Sequence, residues 1–187
     1  MKSPFYFIVK PLNGRRYDSV KEINGTEFIT SVSVEDYTVS NRFAEVVSTP
    51  IDYKGDIKPG DVLVVHHNVF KYYYDMKGRE KSGRSFLKDD LFFIEDNQFY
   101  LYKSDKGWEV NGSFCFIEPV KAKESIYTKM NSEEDLTGII KYIDPKLSKY
   151  NLNVGDEVGF TPDSEYEFVI EDQKLYRVRS KNICIKL

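Results

Sequence analysis

Ile57-Lys58-Pro59-Gly60-Asp61-Val62-Leu63-Val64-Val65 decides how this chain is read, because its layout returns as Leu152-Asn153-Val154-Gly155-Asp156-Glu157-Val158-Gly159-Phe160. In both stretches an apolar residue, a one-residue spacer and a Pro or Val precede Gly-Asp, and an apolar run of strand length follows. Gly suits a backbone position of positive φ at the entrance to a strand. The two Gly-Asp pairs lie 95 residues apart.

Two other blocks repeat in the same order. Phe5-Tyr6-Phe7-Ile8 matches Phe114-Cys115-Phe116-Ile117 at a shift of 109, with Pro11 and Pro119 shortly after. The stretch Phe92-Phe93-Ile94-Glu95-Asp96 through Tyr100 aligns with Phe168-Val169-Ile170-Glu171-Asp172 through Tyr176 at a shift of 76. Three ordered matches predict an internal duplication, with unit one over residues 1–110 and unit two over 111–187. The falling shifts place the extra length of unit one in its first loop and in an aromatic and basic insert of about 19 residues.

Within each unit the pattern is of strands. The chain has 13 Phe and 14 Tyr in 187 residues, and aromatic and β-branched residues favour pleated surfaces. Phe5 to Val9 reads as the first strand, and Phe43-Ala44-Glu45-Val46-Val47 as another. Leu91 to Ile94 and Phe99 to Tyr102 read as the two arms of a hairpin turning at Glu95-Asp96-Asn97-Gln98. Residues 15–41 are polar and weakly periodic, which predicts a long loop, functional or mobile, unless Phe28-Ile29 and Val32-Val34 form a local strand over the unit.

Lys plus Arg is 27 against 30 Asp plus Glu, so the formal charge is −3 and no net basic field draws nucleic acid. No run approaches the roughly 20 apolar residues of a membrane helix, and Met1-Lys2-Ser3-Pro4-Phe5 has no apolar signal core, so a cytoplasmic setting is expected. Cys115 and Cys184 both sit in apolar strand contexts, the usual pattern of small buried thiols. His66 and His67 adjoin a strand, where neighbours point to opposite faces, and no third ligand is near in sequence, so no metal is expected. No phosphate loop, nucleophile elbow or Cys-His motif is present, and Glu95-Asp96 and Glu171-Asp172 fall in predicted turns. A non-enzymatic protein with no catalytic residues and no cofactor is expected.

The order of these motifs resembles the GroES-type co-chaperonin family. Unit two carries it in Leu136-Thr137-Gly138-Ile139-Ile140, in the Gly155-Asp156 element, and in Leu175-Tyr176-Arg177-Val178-Arg179-Ser180-Lys181-Asn182-Ile183-Cys184-Ile185. Unit one has Ala44 where unit two has Gly138. A tandem pair is similar to the double-unit co-chaperonin of chloroplasts, and phage-encoded versions of the fold are another expected home. The resemblance implies an all-β chain of two small irregular β-barrels, assembled into homo-oligomeric rings.

It also implies that the first strand of one unit pairs with the last strand of the next. Trp108-Glu109-Val110, Asn111-Gly112 and Phe114 to Ile117 would then form a hairpin joining the units. Phe5, Phe7 and Val9 would form an open edge at one end of the chain, and Ile183 and Ile185 one at the other. The loop after each first strand would dock on a large protein partner, a chaperonin ring, through Phe28, Ile29 and Val32 in unit one and Ile126, Tyr127 and Met130 in unit two. The alternative expectation is a structural protein of a phage particle that contacts other virion components. Tyr72-Tyr73-Tyr74 is expected to flank a β surface, and residues 77–84 to form a solvated basic tip.

Overall fold

The computed structural model describes residues 2–17, 20–23, 26–29, 39–122 and 133–187, and the side chains of 20–23 and 26–29 lie outside that description. The chain is mostly β-strand with short 3-10 turns and forms two compact units, Met1–Trp108 and Glu109–Leu187.

Unit one contains β1 (Phe7–Pro11), β2 (Val20–Ile23), β3 (Thr26–Ile29), β4 (Phe43–Ser48), β5 (Val62–Val65), β6 (Tyr72–Tyr74), β7 (Glu80–Ser82), β8 (Phe86–Lys88), β9 (Leu91–Ile94) and β10 (Phe99–Ser104), followed by β11 (Gly107–Val110). Its main sheet runs β11-β10-β5-β4-β1-β9-β8, while β2-β3 and β6-β7 form separate hairpins. Unit two contains β12 (Phe114–Lys121), β13 (Glu133–Tyr142), β14 (Glu157–Phe160), β15 (Tyr166–Ile170), β16 (Gln173–Arg179) and β17 (Ile183–Lys186), in the order β15-β16-β12-β13-β14-β17.

The two orders superimpose. β10-β5-β4-β1-β9-β8 in unit one corresponds to β17-β14-β13-β12-β16-β15 in unit two, and from β10 through β9 the pairing registers agree, whereas β8-β9 is bulged between Phe86 and Lys88 and β15-β16 is regular. Val9 faces Val46 as Ile117 faces Ile140, and Pro11 faces Ala44 as Pro119 faces Gly138. Both β1 and β12 are bulged at the same place, between Ile8 and Val9 and between Phe116 and Ile117. Leu63 faces Ala44 as Val158 faces Gly138, and Leu101 faces Val64 as Ile185 faces Gly159.

These registers correct two of the sequence matches. The first strands are related by 108 residues (Val9 to Ile117), not 109, so Phe7 corresponds to Cys115. A slip of one residue moves every side chain to the other face of a sheet, and the bulge that sets the register has no signature in either string. The last block is related by 84 residues, because β9 corresponds to β16 and β10 to β17. Leu91 and Phe99 therefore answer to Leu175 and Ile183. The shared Phe-x-Ile-Glu-Asp string is coincidental. In unit two it closes a two-residue turn between β15 and β16, with Glu171 and Asp172 both at positive φ (51° and 62°). In unit one it leads into a 3-10 turn, Asp96–Gln98, and β9 and β10 pair with other strands rather than with each other. The expected hairpin at Glu95-Gln98 is absent.

The strand edges also differ from expectation. β1 lies between β4 and β9, with Phe7 and Val9 buried, so it offers no open edge, and Phe5 lies outside it, exposed. An apolar Phe-Ile-Val run is more stable in the middle of a sheet, where both faces of the strand are covered. β11 pairs with β10 and β12 with β13 and β16, so the expected β11-β12 hairpin does not form. β17, with Ile183 and Ile185, is a terminal strand of its sheet with one neighbour, β14.

The core of unit one gathers Phe7, Val9, Val46, Leu63, Phe92 and Phe99 among its members, with Phe7 edge-on to both Tyr53 (4.9 Å) and Phe99 (5.4 Å). That of unit two centres on Cys115, Ile117, Ile140, Val158 and Val178. Each buried aromatic or aliphatic side chain in these clusters contributes roughly 1.5 to 3 kcal/mol. Leu63, Val64 and Val65 of β5 are all buried, whereas β14 alternates, Glu157 exposed and Val158 buried. Cys115 is buried as expected. Cys184 is exposed, because the terminal strand that carries it is open on one side.

Candidate functional site

The Gly-Asp elements fix the frame from which every other surface is placed. Gly60 and Gly155 sit at φ 96° and 91°, and their N–H groups donate to the Val46 and Ile140 carbonyls, both at 2.8 Å. The N–H groups of Val46 and Ile140 return the bond to the Asp61 and Asp156 carbonyls, both at 2.9 Å. The Asp61 carboxylate accepts from the Lys58 N–H at 2.7 Å, and that of Asp156 from the Asn153 N–H at 2.8 Å. Asp is needed because its short side chain reaches a backbone N–H three residues before it, and Gly because the turn requires positive φ.

From this frame the first loop of unit one springs between β1 and β4, and its two ends are tied together. The buried Asn41 donates through Nδ2 to the carbonyls of Leu12 (2.9 Å) and Arg15 (2.7 Å) and accepts at Oδ1 from the Phe43 N–H (2.8 Å). Its own N–H donates to the Arg16 carbonyl at 3.0 Å, and Tyr17 bridges to Ser40. Beyond this neck, β2 and β3 pair from Val20-Ile29 to Ile23-Thr26, so Phe28 and Ile29 lie in a local strand, β3. Val32 lies outside the described residues, as do Ile126, Tyr127 and Met130 of the second loop.

Arg16, at the same neck, clasps the aromatic insert. Its Nε donates to the Phe70 carbonyl (2.9 Å), Nη2 to that of Lys71 (3.3 Å) and Nη1 to Ser82 Oγ (3.3 Å). The guanidinium lies 5.2 Å from the Tyr72 ring and 5.1 Å from that of Phe92, within cation-π range. Tyr17 stacks edge-on against Tyr72 at 4.9 Å, and burial pushes the Tyr17 hydroxyl pKa up. The insert is the hairpin β6-β7. Tyr73 (53%), Tyr74 (56%) and Met76 (106%) are exposed along it, and Asp75 closes its turn by accepting from the Lys77 and Arg79 N–H groups. Sequence reading found the insert but missed Arg16, whose partners lie more than 50 residues away and leave no local signal.

Unit two ties its second loop differently. Glu133, where β13 begins, accepts from Lys174 Nζ at 2.9 Å and from the Tyr176 hydroxyl, and Lys174 also meets Glu167 at 3.3 Å. Burial pushes the Glu133 carboxyl up, but the bonds from Lys174 and Tyr176 outweigh it and hold the group below the ordinary carboxylate range.

His66 and His67 fall just past β5, and their rings lie 4.1 Å apart instead of on opposite faces, because the extended backbone ends at Val65. Among the described residues no three His, Cys, Asp or Glu side chains gather as a metal site, and no helix is long and apolar enough to cross a membrane.

No protein-family model matches the chain. A curated protein, falstatin of Plasmodium berghei (strain Anka), is 26% identical over 173 residues, which cover 92% of this chain and 41% of falstatin. The chain thus spans about two-fifths of the length of the relative it matches.

Proposed function

We propose that the chain is a non-enzymatic, co-chaperonin-like binding protein, built from two GroES-type units that are each a small irregular β-barrel, and that it docks on a ring-shaped chaperonin through its first-strand loops. The observation that carries this reading is the duplicated frame, in which the Gly60-Asp61 and Gly155-Asp156 bonds, the bulges and the strand order agree in both units. The pinned neck at Asn41 supports a docking role for the loop above it, since a loop held at its base loses less freedom on binding. Apolar side chains such as Phe28 and Ile29 could contribute roughly 1.5 to 3 kcal/mol each when buried, and several loops acting together would add avidity.

The test is to mix the protein with a chaperonin and nucleotide. A stable complex and an altered ATPase rate are expected, both lost when residues 26–34 are replaced by a Gly-Ser linker. Absence of a complex with every chaperonin tried, together with recovery of the chain from purified virions, would replace this reading with that of a phage structural protein.

A second reading, inhibition of a cysteine protease, rests on the likeness to falstatin over nearly the whole chain. Titration of papain with the protein decides it. Stoichiometric loss of peptidase activity would favour inhibition, and unchanged activity at a large excess of the protein would remove it.

A further inference from the structure

The two units share a frame and differ between one pair of strands. In unit two β14 ends at Phe160 and β15 begins at Tyr166, whereas in unit one β5 ends at Val65 and β8 begins at Phe86. The hairpin β6-β7 lies in the longer connection, and unit two shows that the frame closes without it. Residues 71–84 carry five basic and two acidic side chains, a net of +3 on a chain whose formal net charge is −3, which leaves −6 on the rest. The hairpin is thus a local positive projection from an acidic protein.

Both ends of this projection are fastened. At its base, beside the Arg16 clasp, the Tyr72 N–H donates to the Tyr17 hydroxyl oxygen at 3.3 Å. At its tip the Asp75 N–H donates to the Arg79 carbonyl (2.9 Å), the Gly78 N–H donates to that of Asp75 (2.8 Å), and the Asp75 carboxylate meets Arg79 Nε at 3.2 Å. The register sets Tyr73 across from Lys81. Strand alternation puts both on the face opposite Tyr72, which rests on Arg16, and both are exposed. Met76 and Lys77 stand fully out at the turn. Among the described residues Lys77 and Lys81 make no ion pair, so their charge is not spent within the chain.

We infer that the β6-β7 hairpin is a docking surface for an acidic patch on a partner protein, with Tyr73 and Met76 at its centre and Lys77 and Lys81 meeting the partner's carboxylates. Tyr and Met are enriched in protein interfaces, and a surface already held in one pose loses less freedom on binding. Charge complementarity sets the sign of the partner. A localised acidic patch touches the hairpin alone. A nucleic acid strand or an anionic bilayer extends past it, over a chain whose remaining charge of −6 turns polyanions away. The hairpin also has one apolar side chain besides its tyrosines, Met76, where a membrane-anchoring element has several.

Anisotropy titrations of the full chain test this with fluorescein-labelled dodecapeptides of repeating Glu-Glu-Leu and Lys-Lys-Leu, a labelled oligothymidylate of the same length, and phosphatidylserine vesicles. Glu-Glu-Leu is expected to bind, and Lys-Lys-Leu to bind roughly tenfold more weakly or worse. The variants K77E/K81E and Y73S/M76S should each lose roughly tenfold in affinity for Glu-Glu-Leu and melt at the parent temperature, all four side chains being exposed. K106E/K141E makes the same change in net charge at exposed lysines elsewhere, and its affinity should stay within about twofold of the parent's. On addition of Glu-Glu-Leu the Met76 methyl resonance should shift. An equal loss in K106E/K141E would show that net charge alone is read and would overturn the proposal. So would undiminished affinity in K77E/K81E or in Y73S/M76S, an unmoved Met76 methyl, or no binding of Glu-Glu-Leu. Preference for the oligonucleotide or the vesicles over Glu-Glu-Leu would replace the protein partner with that class of ligand. None of these readouts involves a chaperonin or residues 26–34, so they stand or fall separately from the docking test.

Discussion

A side chain at Gly138 would run into the Ile117 Cγ2 methyl and would meet the Glu118 carbonyl oxygen at 2.7 Å. β13 and β12 approach so closely there that only a residue without Cβ fits. At the corresponding place in unit one, Ala44 pairs with Pro11 as Gly138 pairs with Pro119. Gly138→Ala is therefore expected to lower the stability of unit two by about 1 to 3 kcal/mol, and Ile117→Ala, which removes the Cγ2 methyl, to cost less in the Gly138→Ala background than alone. The Glu118 backbone contact, which no side-chain change relieves, sets the remainder. Urea midpoints of the two single variants and the double variant give the coupling directly; additive losses would show that the two residues do not compete for the same space.

Arg16 ties the neck of the first loop to the aromatic hairpin through three donors to Phe70, Lys71 and Ser82. Arg16→Ala should destabilise unit one by about 1 to 3 kcal/mol, since it takes the donor from the part-buried Phe70 carbonyl, while that of Lys71 keeps the Gly83 N–H. Arg16→Lys should rescue little, because an ammonium cannot reproduce a planar fork. Limited trypsin digestion is the check: cleavage at Lys77, Arg79 and Lys81 should accelerate in both variants, and an unchanged cleavage rate would mean the hairpin is held by other contacts.

Burial pushes the Cys115 thiol up to about 11, while Cys184 is exposed. At pH 8 a disulfide reagent should therefore find one fast thiol per folded chain and two after unfolding. The same shift makes stability depend on pH. Between about pH 9 and 11 the unfolded chain releases this proton and the folded chain keeps it, so stability falls as pH rises, by roughly 3 kcal/mol across the window. In Cys115→Ala that part of the alkaline decline should vanish, and an unchanged alkaline slope would contradict the burial.

Glu133 titrates with the opposite sign. Its folded carboxyl lies below the ordinary range because bonds from Lys174 and Tyr176 outweigh burial, so its contribution is present above about pH 4.3 and is lost as the pH drops through the folded value. Glu133→Gln should flatten the acid limb of unit two and leave its alkaline limb unaltered. Thermal melts from pH 3 to 7 would reveal it, and parallel curves for the two proteins would exclude the effect.

The all-β character and the Gly-Asp frame were legible in the sequence, because both depend on local chemistry. Aromatic and β-branched runs favour strands, and a Gly at positive φ followed by an Asp that bonds back three residues needs only its neighbours. Register was less legible. The bulges at Ile8-Val9 and Phe116-Ile117 are set by pairing with β4 and β13, so the Phe-x-Phe-Ile string invited an alignment one residue out. The Glu-Asp string misled further, since the same letters close a tight turn at Glu171-Asp172 and open a 3-10 turn after Glu95. The surfaces were least legible. Arg16, Asn41 and the Lys174-Glu133 pair act across tens of residues that no spacing rule connects.

Two frames with the same backbone bonds in one chain give every measurement an internal reference. A substitution made at Gly60 can be repeated at Gly155, in the same solution, temperature and covalent molecule, and any difference between the two outcomes belongs to the surroundings rather than to the turn. A duplicated scaffold also divides the demands on it: one copy can keep the geometry while the other accumulates insertions or changes its surface. Here the first copy carries a hairpin between β5 and β8 and the second carries Lys181 just before and Lys186 within its last strand, and the pairings among β10, β5, β4, β1 and β9 recur among β17, β14, β13, β12 and β16.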